Sequence, residues 1–513
     1  MVRIKNAVSE KPVLVTGATG YVGGRVALRL LTAGYKVRAT ARSLTKLQAR
    51  AWAGHPNLEL VYSDALDLDS LTKAADGCGA AYYFIHSMDA ASKDYALSDR
   101  IAAQNMVKAA QSAQLERIIY LGGLSSDSPE LSKHLKSREE VAAILEAGPV
   151  PVTHFRAAMI LGSGSASFEM LRYLVERLPL MITSRRALTP SQPIAIRNVL
   201  VYLINSLELE ETIGQTYDIG GPQILTYLEI IDIYAKEAGL RKRIVIPVSF
   251  ITPRMASWIV HLVTPIPGNI AMPLAEGIGS NMIVQDGHRV VLVIPQKLLT
   301  CQEAIHMALE RIEQKVIKSS WMDAGVSKPP EWGHYNDAPY AGGDIRESWH
   351  TITVKTSPEK LWAPISEIGG DRGWYFANWL WEIRGFIDRL AGGFGVRRGR
   401  RSPSDLGAGD ALDWWRVLDA EPGKRLFLVA EMKAPGEATL EFRLKQNEDG
   451  TSELVQIASF MPRGVAGLAY WYLVYPFHFF IFKGMLKGIA RAAGAEIVHG
   501  PVEIKPPKHK KNR

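Results

Sequence analysis

The segment Val13-Leu14-Val15-Thr16-Gly17-Ala18-Thr19-Gly20-Tyr21-Val22-Gly23-Gly24 joins an apolar run to glycines at positions 17, 20 and 23. Three apolar, β-favouring residues predict a buried strand, and glycines at this spacing let the backbone turn tightly and admit a helix close behind. The helix is legible in Arg25 to Ala33, where Val26, Leu28, Leu30 and Leu31 recur at helical spacing and Gly34 stands where a helix stops. Such a strand, turn and helix aims backbone amides and the positive end of the helix dipole at an anion. It reads as a dinucleotide-binding turn, with Gly17, Thr19, Gly20, Tyr21, Val22 and Gly23 against the pyrophosphate. The other reading is a purely structural glycine turn.

The next strand bears on which dinucleotide fits. In this architecture a carboxylate about twenty residues on holds the ribose 2′-hydroxyl of NAD. From Tyr35 through His55 there is neither Asp nor Glu, whereas Arg38 and Arg42 flank the strand Val37-Arg38-Ala39-Thr40-Ala41. A guanidinium holds a 2′-phosphate through charge-assisted hydrogen bonds. NADP is therefore the expected cofactor, with NAD admissible if Arg42 is only a solvated surface group.

At 513 residues the chain exceeds one hydrophobic core, so two or three domains are expected. Cys78 and Cys301 are the only cysteines, which excludes a disulfide framework and a cysteine metal cluster; no metal site is expected, and a reducing cytoplasm is. Residues 1–12 lack the apolar stretch of a secretory leader. Much of the net charge of +8 comes from Lys505, Lys508, Lys510, Lys511 and Arg513, read as a basic solubilising tail over 496–513 with no specific nucleic-acid partner.

Downstream, apolar runs at Leu58–Tyr62, Ala80–His86, Glu116–Leu121 and Val152–Phe155 alternate with helical segments at Leu68–Ala75 and Arg100–Ala113. Strands lacking polar alternation, separated by helices, predict an α/β doubly wound parallel sheet of Rossmann type with ligand at the carboxyl ends of its strands. Together with Thr16 to Gly23, Ser63-Asp64, His154-Phe155-Arg156, Gly162 and Tyr217 to Pro222, this makes residues 10–320 resemble the extended or atypical short-chain dehydrogenases, near their epimerase-like and NmrA-like branches. The resemblance implies that Asp64 and Ala65 lie at the adenine. It places His86, Ser87 and Gly122 on the nicotinamide side and the backbone after Met159 and Ile160 at the carboxamide.

The chain departs from that family at its catalytic pair. The usual Tyr-x-x-x-Lys, in which lysine lowers the tyrosine pKa for proton exchange, is absent; Ser132-Lys133-His134-Leu135-Lys136-Ser137-Arg138 puts His134 and Arg138 at its spacing. Residues four apart share a helix face, so an imidazole near its working pKa and a guanidinium can address one site, His134 as acid or base and Arg138 on the ribose. The alternative is a solvated helix surface.

Pro329-Pro330, Pro339 and Gly342-Gly343 mark a linker over 321–344. From 345 to 495 a strand, a helix, a tryptophan-dense stretch, a meander with a hairpin at Glu448-Asp449-Gly450 and a long apolar helix follow one another. This order resembles START-like α+β helix-grip domains, which implies a curved sheet gripping a helix around an apolar cavity; the tryptophans either line that cavity or fill a small core. Residues 465–482 carry no formal charge and precede Lys483, Lys487 and Arg491, so 465–491 reads as a buried helix, a membrane-surface contact or a span. The function expected is an NADP(H)-binding oxidoreductase for an apolar carbonyl or hydroxyl compound. The alternative is a catalytically silent NADP-binding sensor or assembly factor.

Overall fold

A seven-stranded sheet and a second seven-stranded sheet organise the two halves of the chain in a computed structural model that describes residues 11–313 and 345–504, except 49, 51, 86–94, 125–132, 265, 267, 394, 396–405 and 463. The chain divides into two units, residues 1–325 and 326–513. The expected linker at 321–344 lies outside the described residues.

Strands of the first unit are β1 (Val13–Val15), β2 (Val37–Ala41), β3 (Leu58–Tyr62), β4 (Ala80–Tyr83), β5 (Arg117–Gly123), β6 (Val152–Ala157), β7 (Ile160–Leu161), β8 (Leu180–Ser184), β9 (Pro190–Ser191), β10 (Ile194–Ala195), β11 (Thr216–Ile219), β12 (Leu225–Thr226) and β13 (Ile244–Val248). Its helices are α1 (Tyr21–Thr32), α2 (Leu44–Gln48), α3 (Leu68–Ala75), α4 (Tyr95–Ser112), α5 (Lys133–Glu146), α6 (Ala166–Arg177), α7 (Ile196–Asn205), α8 (Tyr227–Glu237), α9 (Pro253–Val263), α10 (Gly268–Gly277), α11 (Arg289–Val293) and α12 (Cys301–Glu313).

The large sheet runs β11-β6-β5-β4-β1-β2-β3, every pair parallel, with Val13 opposite both Val37 and Ala80. The order reverses at β1, which opens a crevice at the strand ends there. Alternation sorts the side chains by face. Val13, Val15, Ile119 and Leu121 pack toward α1 and α7, while Leu14, Tyr83, Ile118 and Tyr120 pack toward α3, α4 and α5. This is the doubly covered α/β sheet expected from the sequence.

Arg117 opens β5 inside the protein. Its guanidinium donates to the carbonyls of Ser206, Leu207 (3.1 Å) and Leu209 (3.2 Å) and to Thr212 Oγ1 (3.1 Å), holding the 206–212 turn on the strand; burial lowers its pKa.

Strands of the second unit are β14 (Arg346–Lys355), β15 (Ala411–Leu412), β16 (Trp415–Glu421), β17 (Arg425–Ala430), β18 (Gly436–Gln446), β19 (Ser452–Pro462) and β20 (Glu496–Ile504); its helices are α13 (Pro358–Ser366), α14 (Asn378–Leu390) and α15 (Gly464–Ala492). The sheet is antiparallel throughout, ordered β15-β16-β17-β18-β19-β14-β20, and α15 lies against β19, β14 and β20. The β18–β19 hairpin turns at 447–451, where Asn447 donates from its backbone amide to the Thr451 carbonyl and from its side-chain amide to Thr451 Oγ1, at the Glu448-Asp449-Gly450 signal.

One expectation is corrected. Residues 496–504 are no part of a basic tail: they form β20, antiparallel to β14. Ile497, Val498, Val502 and Ile504 are β-formers, but Glu496, His499 and Glu503 between them disguise the strand. Such charges suit a sheet edge, where they deter further pairing.

Replacing Arg117 with methionine is expected to destabilise the first unit by roughly 3 kcal/mol, because several carbonyls lose their donor at once. Urea unfolding measures it. A midpoint unchanged within error would show that the 206–212 turn holds without this side chain.

Candidate functional site

The phosphate turn is built by contacts that only glycine permits. Gly17 has φ +66°, and a Cβ there would sit 2.8 Å from the Phe84 carbonyl oxygen; a Cβ on Gly23 would fall 2.3 Å from the Gly17 oxygen. Thr16 fixes the strand end by donating from Oγ1 to the Tyr82 carbonyl (3.0 Å) and accepting from the Phe84 amide (3.2 Å). Helix α1 then begins at Gly20 with no side-chain cap and no acid in its first turn. Its first amides remain for an external anion, and the cradle fits a dinucleotide pyrophosphate.

Neighbouring groups lock this geometry. Arg25 is buried, stacks on the Tyr21 ring at 4.6 Å and donates to the Ser163 carbonyl at 2.8 Å, while Gly162 lies against the Tyr21 hydroxyl. The turn thus joins the segment after Met159 and Ile160. Thr19 receives a further hydrogen bond, from Arg50 to its carbonyl at 2.7 Å. Arg50 stands in no motif, and nothing in its spacing announced a cation beside the phosphate turn.

At the end of β2 the two arginines separate. Arg38 is bound by Glu59 at 2.6 Å and by the Ala74 carbonyl at 3.0 Å, near the start of the strand. Arg42 follows the last residue of β2 and is exposed, with no ion pair among the described residues. Asp64 and Ala65 follow β3 in a turn where the Asp64 carboxylate accepts from the Leu66 amide (3.1 Å) and the Ala65 carbonyl accepts from Asn105 (2.9 Å). Both sit at strand carboxyl ends, where the crevice lies.

On the other side of the switch point, Gly122, next to last in β5, lies against an imidazole: a Cβ there would lie 2.5 Å from His154 Nε2. His154 is buried on β6, pairs through Nδ1 with Glu146 at 2.9 Å, and leaves Nε2 enclosed without a hydrogen-bond partner among the described residues. The hydrogen bond from His154 holds the Glu146 carboxyl below the usual range. His154 matched the family pattern in the sequence, but its partner eight residues earlier belongs to no motif.

His86 and Ser87 lie outside the described residues. His134 falls on α5, one turn before Arg138, as its spacing predicts, and its side chain is not among those described. Arg138 is half-buried; its charge acts on the Tyr120 and Tyr83 hydroxyls, both raised above the usual tyrosine range chiefly by burial. On the same helix Leu135, Ser137, Val141 and Ala142 are buried, while Lys136 and Glu139 are exposed.

A second group of polar side chains lies in the core of the second unit. His350 on β14 and Gln456 on β19 are register partners, both 0% exposed, and His478 projects from α15. His350 Nε2, His478 Nδ1 and both amide atoms of Gln456 are enclosed without a hydrogen-bond partner among the described residues. Both imidazoles pack on Phe482, at 5.8 and 4.7 Å between ring centres. Burial pushes His478 down to about 4, helped by His350, itself lowered by burial, so both are neutral at neutral pH. Alongside, Trp374 stacks on Trp381 at 4.5 Å and Trp381 on Trp414 at 5.5 Å, so these tryptophans fill a core against one another. No group of three or more metal-ligating side chains occurs among the described residues.

A protein-family model described as NAD(P)H-binding matches residues 17–162, and one described as a protein of unknown function (DUF2867) matches 342–485. The photosystem II assembly factor Ycf39 of Trieres chinensis is 24% identical over 228 residues, 44% of this chain and 69% of that protein. The chloroplastic divinyl chlorophyllide a 8-vinyl-reductase of Zea mays is 27% identical over 237 residues, 43% of this chain and 58% of that protein. The crystal structure of the Citrobacter triphenylmethane reductase complexed with NADP(H) is 20% identical with a TM-score of 0.47, covering 58% of this chain and 99% of the other.

The depressed His478 implies a pH dependence of stability. Below its ordinary value of 6.5 the unfolded chain takes up a proton that the folded one refuses, so stability falls between about pH 6.5 and pH 4 and levels off below. The loss is on the order of 3 kcal/mol. Thermal melts across that range, compared with a His478→Leu variant, test it: the variant's pH dependence should be visibly flatter.

Proposed function

We propose that this chain, whose first unit is an NAD(P)H-binding domain of the epimerase- and NmrA-like short-chain dehydrogenase type, is an NADP(H)-dependent oxidoreductase. Its substrate would be an apolar carbonyl or hydroxyl compound, lipid- or quinone-like in character. The observation that carries this reading is the pairing of an uncapped glycine cradle with an exposed Arg42, and no carboxylate, at the end of β2. Amides of Tyr21, Val22 and Gly23 would hold the pyrophosphate where Gly17 and Gly20 let it approach, Arg42 the 2′-phosphate, and Asp64 with Ala65 the adenine. Gly122, with His86 and Ser87, would line the nicotinamide side.

The nicotinamide, when bound, supplies or accepts a hydride. The chain's part is then to position the substrate and move one proton, for which His134 is the proposed group and Arg138 the proposed ribose ligand. In the second unit, read as a START-like fold, the order of strand, helices, meander and long helix supports a domain that holds the substrate's apolar body. The neutral cluster of His350, Gln456 and His478 would meet an uncharged polar head, since these groups offer donors and acceptors but no net charge.

A second reading is a silent NADP-binding sensor or assembly factor. Two observations favour it: the missing Tyr-x-x-x-Lys pair, and similarity to a protein named as a photosystem II assembly factor. Turnover separates the readings. Purified protein should oxidise NADPH with at least one member of a panel of ketones, quinones and enals, and His134→Ala should lower that rate by about a hundredfold while leaving NADPH binding intact. Binding without oxidation of NADPH by any member favours the sensor.

Cofactor choice gives an independent expectation. Arg42→Ala should weaken NADPH binding roughly tenfold or more and leave NADH binding little changed, as loss of a charge-assisted contact requires. Calorimetric titration with both nucleotides measures it; equal losses for the two would remove Arg42 from the 2′-phosphate.

A further inference from the structure

Helix α14 is turned inside out. A helix on a protein surface normally buries its apolar stripe and shows its charges to water. Here Trp381, Gly385 and Asp388 are buried, and Arg384, half-buried, reaches the Tyr470 hydroxyl and the Lys433 carbonyl, both at 3.3 Å. Asp388 is 0% exposed and accepts from the amides of Lys433 (2.6 Å) and Gly395 (2.9 Å). The opposite face carries Trp379, Ile383, Phe386, Ile387 and Leu390, from 50% to 60% exposed. Their spacing of four, three, one and three residues is that of a single helical stripe. The fold has satisfied the charged face internally and left the apolar one outside.

Helix α15, which buries Trp471, Phe482, Met485 and Leu486 in the core, also leaves apolar side chains outside. Phe376, just before α14, packs on Phe480 at 4.9 Å, and Arg384 reaches Tyr470, so the two helices run side by side in opposite directions. Tyr472, Leu473, Phe477 and Phe480 are exposed, Leu473 at 71%. The same stripe, continued along the helix, carries Lys483, Lys487 and Arg491 at intervals of four. From 464 to 495 the sequence holds no acid. The apolar stripe of α15 therefore runs into a cationic end.

We infer that this two-helix face docks on a membrane surface bearing anionic lipid, its apolar rows entering the boundary between headgroups and acyl chains and the Lys483, Lys487 and Arg491 end of α15 resting on the headgroups. Nine large apolar side chains on two adjoining helices form a patch beyond what a monomer ordinarily shows to water. Water alone does not select for it. Anionic headgroups complement the Lys483, Lys487 and Arg491 end of this face. No described helix is long and apolar enough to cross a membrane, so the contact lies in the interface. Trp379 and Tyr472 are amphipathic rings suited to that depth.

Flotation of the full-length protein with phosphatidylcholine vesicles, with and without about one third phosphatidylglycerol, tests this, with folding of each variant checked by circular dichroism and NADPH titration. The protein should float with the anionic vesicles. Both Ile383→Ser with Phe386→Ser and Lys487→Glu with Arg491→Glu should weaken partition by about tenfold or more. Vesicles with brominated acyl chains should quench tryptophan emission, less so in Trp379→Phe. Three results would overturn the inference: no flotation with either vesicle; undiminished flotation of the serine variant, which assigns binding to the terminal lysines alone; or, without lipid, a dimer that the serine variant dissolves, which assigns the face to a second copy.

Discussion

The first unit depends on one close approach, that of α1 to the turn that precedes it. With no side chain at Gly23, the helix comes near enough that a Cβ would meet the Gly17 oxygen at 2.3 Å. That contact sets the direction of α1, and direction decides where its uncapped amides point. It also brings Tyr21 and Arg25 onto Gly162 and Ser163, so the loop after β7 is placed by the same helix. A methyl group at Gly23 would displace helix, loop and anion cradle together, because packed interiors do not absorb such a clash locally.

Much of this was legible because it is local. Strand β3 and helix α3 occupy the residues their patterns marked, and the β18–β19 hairpin turns where Glu448-Asp449-Gly450 said it would. What sequence concealed is set by partners distant in the chain. Arg38 and Arg42 look alike in a strand read alone; only the position of Glu59 on β3 shows that one is bound in the sheet while the other faces solvent. Strand β20 hid behind its edge charges. His154 gave no sign that α5 would bring Glu146 to its Nδ1.

The second unit contradicts the simplest account of a core. The indole N–H groups of Trp381, Trp414 and Trp415 are enclosed without a hydrogen-bond partner among the described residues, as are His350 Nε2, His478 Nδ1 and both amide atoms of Gln456. Each buried polar group left unpaired costs about 1–3 kcal/mol, and leucine or phenylalanine at these positions would avoid the penalty. Stacking among the tryptophans explains why rings are present, not why so many carry polar atoms. Natural sequences break local rules chiefly where function requires it, and here the exceptions share one core.

Helix α14 makes the same point on the outer surface. A periodicity reading finds its apolar stripe correctly and then assigns it to the interior, because the hydrophobic effect ordinarily sends such a stripe there. The assignment fails at Asp388, whose carboxylate takes up the backbone amides of Lys433 and Gly395 and so ties the polar side of the helix to the domain. Rotating α14 to bury Ile383 and Phe386 would leave the Lys433 and Gly395 amides without their acceptor and part Arg384 from Asp388 as well. The outward apolar face is thus enforced by polar chemistry beneath it, and a surface enforced in that way calls for something apolar to meet it.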